Sequence, residues 1–293
     1  MKKVIVVGSG VIGCTCAYYL TRAGCQVTLV ERETFSCGAS HGNCGDVCPS
    51  HVLPLAGPGG LGNTLRALLA PDSPFSVRPG LDVALWGWLL QVAHRCNARH
   101  LLRAAPAIHA LLQSSRRLYA ELLERESFEV GWETLGLLFV FQSQAAHAHY
   151  AESDTLLRTH FQVAADRYDG DAVAELEPAL QRGLAGGWHY RCDAHLRPDR
   201  LMQCWRDWLH RQGVAILERC PVTGLAVEGN QARGVLTAGQ GTLEGTEIVV
   251  ATGAWSPSLS RELGCKIPIQ PGKGYSLTMS RPKICPKIPL IFE

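Results

Sequence analysis

The sequence predicts an α/β fold built on a parallel sheet, and three stretches of the chain support this prediction. Residues 3–31 contain a strand, a glycine turn, a helix and a second strand, which together make one βαβ unit. Residues 198–217 repeat the change from helix to strand, with Pro198 in the first helical turn. From Val222 onward, short apolar runs alternate with glycine-rich turns, a pattern typical of a β-meander that ends at 247–251.

The first βαβ unit is the most regular part of the pattern. Residues 3–7 form an apolar, β-branched run typical of a buried parallel strand. Residues 11–23 carry apolar side chains at helical spacing until Gly24 ends the helix, and residues 26–31 form the second strand. The crossover between such strands is almost always right-handed, so we expect a doubly wound parallel sheet.

The stretches between these units show irregular, helical and β-strand patterns in turn. Residues 36–62 are rich in Gly, Ser, Pro and Cys and predict an irregular loop, in which His41 and His51 are candidates to line a site. Helical signals dominate from residue 81 to 126. The pattern then predicts further elements: a strand over 134–141, a helix over 144–160 and a strand over 187–191.

Composition limits the class of partner. The chain has 293 residues, of which 46% are hydrophobic and 18% charged, enough for one large domain or two smaller ones. Lys and Arg number 28 against 26 Asp and Glu, so no charge excess favours nucleic acid, and we predict a small-molecule partner.

No run reaches the roughly 18 apolar residues of a spanning helix. The nearest candidate, residues 81–93, predicts a buried or partner-facing helix and leaves a role at a membrane surface open.

Twelve cysteines are present, yet no C-x-x-C pair and no His/Cys grouping at zinc spacing is found in the sequence. The tightest cluster, Cys37, Cys44 and Cys48, lies in the glycine-rich loop. We therefore expect reduced thiols and no metal site.

Two lysines before an apolar run at the N-terminus also suit a signal peptide, which would allow disulfides. Because the same residues complete a nucleotide-binding unit, we predict a cytoplasmic protein, with peripheral association at the inner face of the membrane left open.

One motif carries the functional inference. It fits G-x-G-x-x-G and consists of Gly8, Ser9, Gly10, Val11, Ile12 and Gly13. Gly8 makes the turn, Gly10 lets the backbone approach a pyrophosphate, and Gly13 lets the helix pack close to the strand. The helix N-terminus then offers amide hydrogens and a positive dipole to the anion.

An acidic residue follows the motif at the spacing expected for a nucleotide site. Glu31 ends the second strand, where its carboxylate can accept hydrogen bonds from ribose hydroxyls and disfavours a 2′-phosphate. Strand, glycine turn, helix and acid together predict a Rossmann-like site for NAD or FAD. The motif alone does not distinguish the two cofactors.

The segment after the second strand resembles the D-amino-acid oxidase superfamily of flavoenzymes. Glu31 and Arg32 precede Ser40, Asn43 and Gly45, which match a Ser-x-x-Asn-x-Gly pattern that runs beneath the flavin diphosphate in that family. A second flavin signature of the family, a strand ending in a Thr-Gly turn, is matched further along the chain by Thr252, Gly253 and Trp255. The dipeptide Ser256-Pro257 there predicts the start of a short helix, with Ser as the cap.

The resemblance continues in chain order. Residues 267–277, with Lys273 and Tyr275, resemble the strand that family members place near the flavin, and are most similar to the bacterial D-amino-acid dehydrogenases of that superfamily. The resemblance also implies that the backbone of Val222 lies against the adenine. It implies a discontinuous FAD-binding domain and a substrate domain with a mixed or antiparallel sheet. The predicted bounds are 1–60 with 196–262 for the first domain, and 61–195 with 263–293 for the second.

The resemblance implies an enzyme that uses FAD. In the family, a flavin accepts a hydride from the carbon that bears the substrate amine, and the resulting imine hydrolyses to a keto acid and ammonia. A D-amino acid is the favoured substrate, with glycine, sarcosine and proline-like amines as alternatives. Because the cofactor performs the difficult chemistry, no catalytic dyad is expected. The electron acceptor, oxygen or a membrane quinone, and a homo- or hetero-oligomeric state stay open.

Two alternative functions follow from the residues. Family members extend beyond the position of residue 293, and the additional part normally carries an arginine for the substrate carboxylate. One alternative is therefore a catalytically incomplete nucleotide-binding remnant, or a chain that needs a partner, and an unpaired apolar strand over 287–292 favours it. The other alternative, an NAD-dependent dehydrogenase, requires the matches at 40–45 and 252–255 to be coincidental.

Overall fold

A computed structural model describes residues 1–53 and 83–293. The end of the predicted glycine-rich loop and the first residues of the predicted 81–93 helix lie outside these residues. The chain forms two compact units, which are Met1–Gly45, Phe128–Gly131 and Arg197–Leu277 for the first unit, and Asp46–Ser127, Trp132–Leu196 and Thr278–Glu293 for the second unit. These units differ from the predicted domains, since residues 46–53 lie in the second unit and residues 263–277 in the first.

The described residues form the following elements, numbered in chain order. They are β1 Lys3–Val7, α1 Val11–Arg22, β2 Gln26–Val30, β3 Asp46–Val47, α2 Val83–Arg95, α3 Ala98–Glu126, β4 Leu137–Phe141, α4 Gln144–Phe161, β5 Asp166–Asp169, α5 Ala172–Leu176, β6 Gly186–Tyr190, β7 Ala194–His195, α6 Pro198–Arg211, β8 Ala215–Leu217, β9 Val222–Glu228, β10 Gln231–Thr237, β11 Gly241–Glu244, β12 Glu247–Val250, a 3-10 helix Gly253–Leu259, and β13 Leu290–Phe292.

A parallel sheet in the order β12-β1-β2-β8 forms the centre of the first unit. Its central strand β1 is buried on both faces from Val4 to Val7, as expected for a parallel strand covered on two sides. Ile5 and Val7 pack against the antiparallel sheet β11-β10-β9, while Val6 lies beside α1 at Gly13. The predicted α/β fold with a parallel sheet and a β-meander is confirmed.

The last predicted strand of the meander belongs to a different sheet. Strand β12 pairs in parallel with β1, from Val4 opposite Glu247 to Val7 opposite Val250, so the meander itself ends at β11. The expectation that the meander extends to 247–251 was therefore wrong. A run of Ile and Val suits a position in the apolar parallel sheet.

Helices α1 and α6 pack together in the first unit through aromatic side chains. The ring centroid of Tyr18 on α1 lies 5.1 Å from that of Trp205 and 4.5 Å from that of Trp208, both on α6. Helix α6 begins with Pro198 in its first turn and is followed by Gly213 at φ +73°. Both ends agree with the sequence prediction.

The second unit is built on a mixed sheet in the order β13-β4-β6-β5. Strand β6 pairs antiparallel with both β4 and β5, whereas β13 pairs parallel with β4. On β4, Phe139 and Phe141 belong to one apolar cluster, while Leu138 and Val140 belong to a second cluster with Val173. The alternation places β4 at the centre of the core, and the predicted mixed sheet is confirmed.

The C-terminal strand of this sheet is paired. Leu290 lies opposite Leu138 in the register between β13 and β4. The prediction of an unpaired apolar strand at 287–292 was wrong, because one edge of β13 pairs with β4, while its other edge is an outer edge of the sheet. The Oε2 atom of the buried Glu177 accepts hydrogen bonds from the backbone amides of Lys287 at 2.8 Å and Ile288 at 3.0 Å. This carboxylate fixes the start of the strand.

Helix α2 contains the apolar run that was predicted as a buried or partner-facing helix. None of its described residues is buried, and Val83 and Leu90 are 84% and 71% exposed. The buried alternative was therefore wrong. Helix α3 follows after Asn97, whose side chain caps it by accepting from the amide of His100 at 2.9 Å. Within residues 1–53 and 83–293, no helix is both long enough and apolar enough to cross a membrane.

Candidate functional site

The turn after β1 can be formed only by glycine. Gly8 has φ +107°, and a Cβ atom at this position would lie 2.5 Å from the carbonyl oxygen of Ala251. The amide of Gly8 donates to the carbonyl oxygen of Val30 at 2.8 Å, which links the turn to β2. The turn is therefore constrained by both conformation and packing.

At the other two glycines of the motif, a side chain would crowd a close neighbour. A Cβ atom at Gly13 would lie 1.8 Å from the carbonyl oxygen of Gly8, so α1 can approach β1 this closely only without a side chain. A Cβ atom at Gly10 would lie 3.1 Å from Oγ of Ser40. Gly10 is the N-cap of α1 and has no side chain with which to cap the helix.

Ser9 and Glu31 form a hydrogen-bonded pair at the edge of the parallel sheet. The Oε2 atom of Glu31 accepts from the amide of Ser9 at 2.9 Å and from its hydroxyl at 2.7 Å. The buried Ser9 hydroxyl also accepts from the amide of Ser36 at 2.8 Å. Burial and the nearby Glu31 charge raise the pKa of the Cys14 thiol, so it stays protonated and donates to the carbonyl oxygen of Ser9 at 3.3 Å. The half-buried Glu31 carboxylate is thus held at the end of β2.

A loop residue caps α1 in place of the missing N-cap side chain. Oγ of Ser40 accepts a hydrogen bond from the amide of Val11 at 2.9 Å. Asn43 fixes this loop, since its side-chain amide donates to the carbonyl oxygens of Ala39 and Ser40, both at 3.0 Å, and its Oδ1 accepts from the amide of Gly45 at 2.8 Å. The structure therefore brings the predicted Ser-x-x-Asn-x-Gly segment to the N-terminus of α1. Ile12, also in the first turn, has an exposed side chain.

The Thr-Gly turn after β12 lies beside the end of β2. The guanidinium of Arg32 lies 3.9 Å above the ring centroid of Trp255, a cation–π geometry. Gly253 has φ +54°, and the hydroxyls of Thr252 and Ser256 are 3.0 Å apart. The 3-10 helix begins at Gly253, so the expectation that it begins at Ser256 was wrong. The helix starts three residues before Ser256, at a glycine in the left-handed conformation.

Among the residues predicted to lie near the flavin or adenine, those of the 267–277 segment do not form the expected strand. Residues 267–277 form no strand, because none of the described strands pairs with them, and the predicted strand was wrong. Tyr275 is 87% exposed, and the Nζ atom of Lys273 lies 5.1 Å from its ring centroid. Val222 is half-buried at the start of β9, against the apolar core of the first unit. The roles of these residues stay predictions.

The second unit contains a polar cluster that the sequence analysis missed. One potential ligand atom each from Cys48, His51 and Asp193 lies within 4.8 Å of the other two. Ser50 donates to Asp193 from its amide at 3.0 Å and from its hydroxyl at 2.6 Å. His41, the other histidine of the loop, is exposed and lies outside the cluster. The Cys-x-x-His spacing was the available signal, but the carboxylate comes from a distant segment.

Burial shifts the pKa of the acid in this cluster. Asp193 is 1% exposed, and this burial raises its pKa above the usual carboxyl value. The two hydrogen bonds from Ser50 act in the opposite direction. The carboxylate is therefore buried but surrounded by polar groups, since Ser50 and Cys192 both contact it.

Comparisons with known proteins agree with this geometry. A model of the DAO family, described as FAD dependent oxidoreductase, matches residues 3–291. A D-amino acid dehydrogenase of Granulibacter bethesdensis is 31% identical over 285 residues, covering 94% of this chain and 67% of that protein. A D-amino acid dehydrogenase of Bradyrhizobium diazoefficiens is 31% identical over 282 residues, covering 94% and 66%.

A solved structure supports the same fold. Glycine oxidase from Bacillus cereus superposes with a TM-score of 0.61 at 20% identity, covering 89% of this chain and 58% of that chain. This chain spans about two thirds of the length of the two dehydrogenases. Because the family model matches nearly every residue, the predicted resemblance is confirmed, and the chain belongs to the DAO family of FAD-dependent oxidoreductases.

Proposed function

We propose that this chain binds FAD through its first unit and belongs to an enzyme that oxidises the CH–NH bond of a small amino acid, with D-amino acids favoured. The observation that carries the proposal is the turn from Gly8 to Gly13, whose three glycines keep side chains away from the N-terminus of α1. The similarity to two D-amino acid dehydrogenases supports the substrate class.

The residues of the first unit fit the cofactor. A Cβ atom at Gly8 or Gly13 would collide with neighbouring backbone, and one at Gly10 would crowd the loop, so the turn keeps the close backbone approach that a pyrophosphate needs. We assign FAD contacts to two groups of residues. They are Gly8, Ser9, Gly10, Val11, Ile12 and Gly13 with Glu31 and Arg32, and Ser40, Asn43, Gly45, Val222, Thr252, Gly253 and Trp255.

Each group has its own role in the proposal. The glycines and the amides of the first turn of α1 would hold the diphosphate, while the Glu31 carboxylate would accept from ribose hydroxyls. Ser9 already holds this carboxylate in place, so little side-chain entropy remains to be lost on binding. Asn43 would keep the loop of Ser40 in the shape that caps the helix.

Bound FAD supplies a hydride acceptor, and the chain supplies binding and orientation. For oxidation of an amine, the protein must hold the substrate carbon in line for transfer and keep the amine neutral. Lys273 and Tyr275 are our candidates for the side that faces the flavin. No residue is assigned as a catalytic acid or base. The family match argues against the NAD-dependent dehydrogenase and against a nucleotide-binding remnant.

We further propose that the protein acts in the cytoplasm with peripheral association at the membrane, where a quinone would accept the electrons. The support is helix α2, on which the exposed Val83 and Leu90 precede His94 and Arg95 in the last turn. Exposed apolar residues next to basic ones suit an anionic membrane surface. Oxygen as the acceptor and an oligomeric enzyme remain alternatives to this proposal.

The test is the visible absorption spectrum of the purified protein, recorded without oxygen before and after addition of a panel of D- and L-amino acids. We expect flavin bands that bleach with one or more D-amino acids. Gly10→Leu should abolish FAD uptake by blocking the diphosphate site, whereas Gly38→Leu, at a loop position with open space around it, should retain FAD. A chain that takes up no FAD, or a Gly10→Leu variant that binds FAD normally, would contradict the proposal.

A further inference from the structure

We propose that Cys48, His51 and Asp193 of the second unit form a binding site for Zn²⁺. The three side chains offer one sulfur, one imidazole nitrogen and one carboxylate oxygen, all within 4.8 Å of one another. Zinc takes this mixed set of ligands, whereas Mg²⁺ and Ca²⁺ prefer oxygen ligands alone. The proposal is independent of the proposed FAD chemistry, because all three ligands belong to the second unit.

A tight turn brings the first two ligands together. The amide of His51 donates to the carbonyl oxygen of Cys48 at 3.2 Å, which closes a turn with Pro49 at its second position. Proline is favoured at that position because its fixed φ matches the turn. The local sequence therefore specifies the Cys-x-x-His half of the site.

Strand pairing supplies the third ligand. In the antiparallel ladder between β3 and β7, Asp46 lies opposite His195 and Val47 opposite Ala194. Continuing this register by one residue places Cys48 beside Asp193. Sheet pairing thus fixes the cysteine and the carboxylate relative to each other, although they are far apart in the sequence.

A second layer of hydrogen bonds orients the carboxylate. Ser50 donates to both oxygens of Asp193, and Sγ of Cys192 lies 3.5 Å from Oδ1. An ionised carboxylate offers about four acceptor positions, so these three contacts leave one for a metal. Metal-ligating carboxylates are commonly held by outer hydrogen bonds of this kind.

The charge balance also favours a cation. Asp193 is 1% exposed, and among the ion pairs of the described residues none involves its carboxylate. An ionised acid that is buried outside any ion pair is costly. A divalent ion bound between Asp193 and the thiolate of Cys48 would remove that cost, and the thiol proton would pass to solvent.

The geometry requires a modest contraction. Tetrahedral zinc with bonds of about 2.0 to 2.3 Å places its ligand atoms roughly 3.3 to 3.7 Å apart, so from a separation of up to 4.8 Å the cluster would have to close by up to about 1.5 Å. His51 is the ligand best placed to move, because it is exposed and lies in a turn. Three protein ligands leave the fourth position to water.

The experiment is a zinc titration of the purified protein after chelator treatment, with bound metal measured by mass spectrometry and affinity by calorimetry. We expect His51→Gln and Cys48→Ser each to weaken binding of one zinc equivalent by at least about ten-fold. The matched controls His41→Gln and Cys37→Ser change exposed residues of the same loop outside the cluster and should keep full affinity. His51→Gln alters an exposed side chain, so its effect cannot arise from failure to fold.

Cobalt(II) gives an independent measurement. Bound at the site, it should produce a thiolate-to-cobalt absorption band in the difference spectrum of the wild type and of Cys37→Ser, and none in that of Cys48→Ser. The proposal is overturned if the wild type binds no more zinc than His51→Gln, or if the cobalt band persists in Cys48→Ser. Either result would leave FAD binding and amine oxidation untouched.

Discussion

The two units organise their polar groups in opposite ways. In the first unit, the candidate nucleotide site consists largely of backbone, and glycines such as Gly8 and Gly13 give it its shape. In the second unit, single buried carboxylates, Glu177 and Asp193, collect amides and hydroxyls from distant segments. We therefore expect the first unit to lose most stability when an atom is added at one of these glycines. The second unit should lose most stability when a hydrogen-bond acceptor of a buried carboxylate is removed.

The largest effect is expected from Gly13→Ala in the first unit. The added Cβ atom would lie 1.8 Å from the carbonyl oxygen of Gly8, and because that neighbour is backbone, no side chain can rotate away. We expect a loss of about 3 kcal/mol or more in the free energy of unfolding. Urea denaturation followed by circular dichroism measures this loss.

Gly38→Ala provides the control for this prediction. No atom lies within 4 Å of the Cβ position at Gly38, so its free energy of unfolding should stay within about 0.5 kcal/mol of the wild type. Equal stabilities of the two alanine variants would show that close backbone packing does not define the first unit.

Removing an acceptor in the second unit should have the next largest effect. Glu177→Gln keeps one carbonyl oxygen for the backbone N–H groups of residues 287 and 288, which share Oε2, but places an amide group against the N–H of residue 179, which donates to Oε1. We expect a loss of about 1–3 kcal/mol in the free energy of unfolding, measured at neutral pH. Glu175→Gln, an exposed change on the same helix α5, is the control and should be nearly neutral.

The same carboxylate gives this effect a pH dependence. Burial would raise the pKa of Glu177, but hydrogen bonds from the amides of residues 288, 287 and 179 lower it overall. Its stabilising contribution is therefore present above the unfolded pKa of 4.5 and is lost as the pH falls through the lower folded value. A difference between Glu177→Gln and the wild type that stayed constant down to acid pH would contradict this account.

The contrast also explains how much the sequence could predict. The strand, turn and helix of residues 3–31 were predicted correctly, because glycine positions and apolar periodicity are local signals. The cap from Ser40 to Val11 joins the motif to the loop that was singled out by resemblance. Prediction and structure agree here because this part of the site is built from one short segment of chain.

Long-range pairing accounts for the errors. Whether residues 290–292 pair, and with which strand, depends on β4, and the neighbours of Asp193 depend on the register of β3 and β7. Neither is encoded in the local pattern, because a strand of three residues or fewer has little periodicity to read. The strand at 267–277 was predicted from the family resemblance, and no described strand pairs with these residues.

A smaller loss of stability is expected from a change at Ser40, whose side chain supports the glycine turn of the first unit. Ser40→Ala removes the hydroxyl that accepts from the amide of Val11. We expect a loss of about 1 kcal/mol in the free energy of unfolding, typical of a lost N-cap, together with weaker FAD binding. Ser40→Thr keeps a hydroxyl and should recover most of both. Failure of the threonine variant to recover either property would assign the effect to loop packing.

The smallest effect is a loss of stability at low pH that comes from a buried histidine of the second unit. His147 is 1% exposed, and burial lowers its pKa, with the charge of Arg167 acting in the same direction and that of Asp169 against it. The folded protein therefore resists a proton that the unfolded chain accepts below its pKa of 6.5, so stability falls as the pH drops through that value.

His147→Phe should flatten this dependence, because a phenyl ring can pack against Phe141 and Trp188 without titrating. The measurement is the change in unfolding free energy between about pH 8 and about pH 5.5, compared with the control His149→Phe at an exposed position of the same helix. If His147→Phe and His149→Phe lost stability equally over this interval, the buried imidazole would not be a source of acid sensitivity. The pH response of the second unit would then come from other titratable groups.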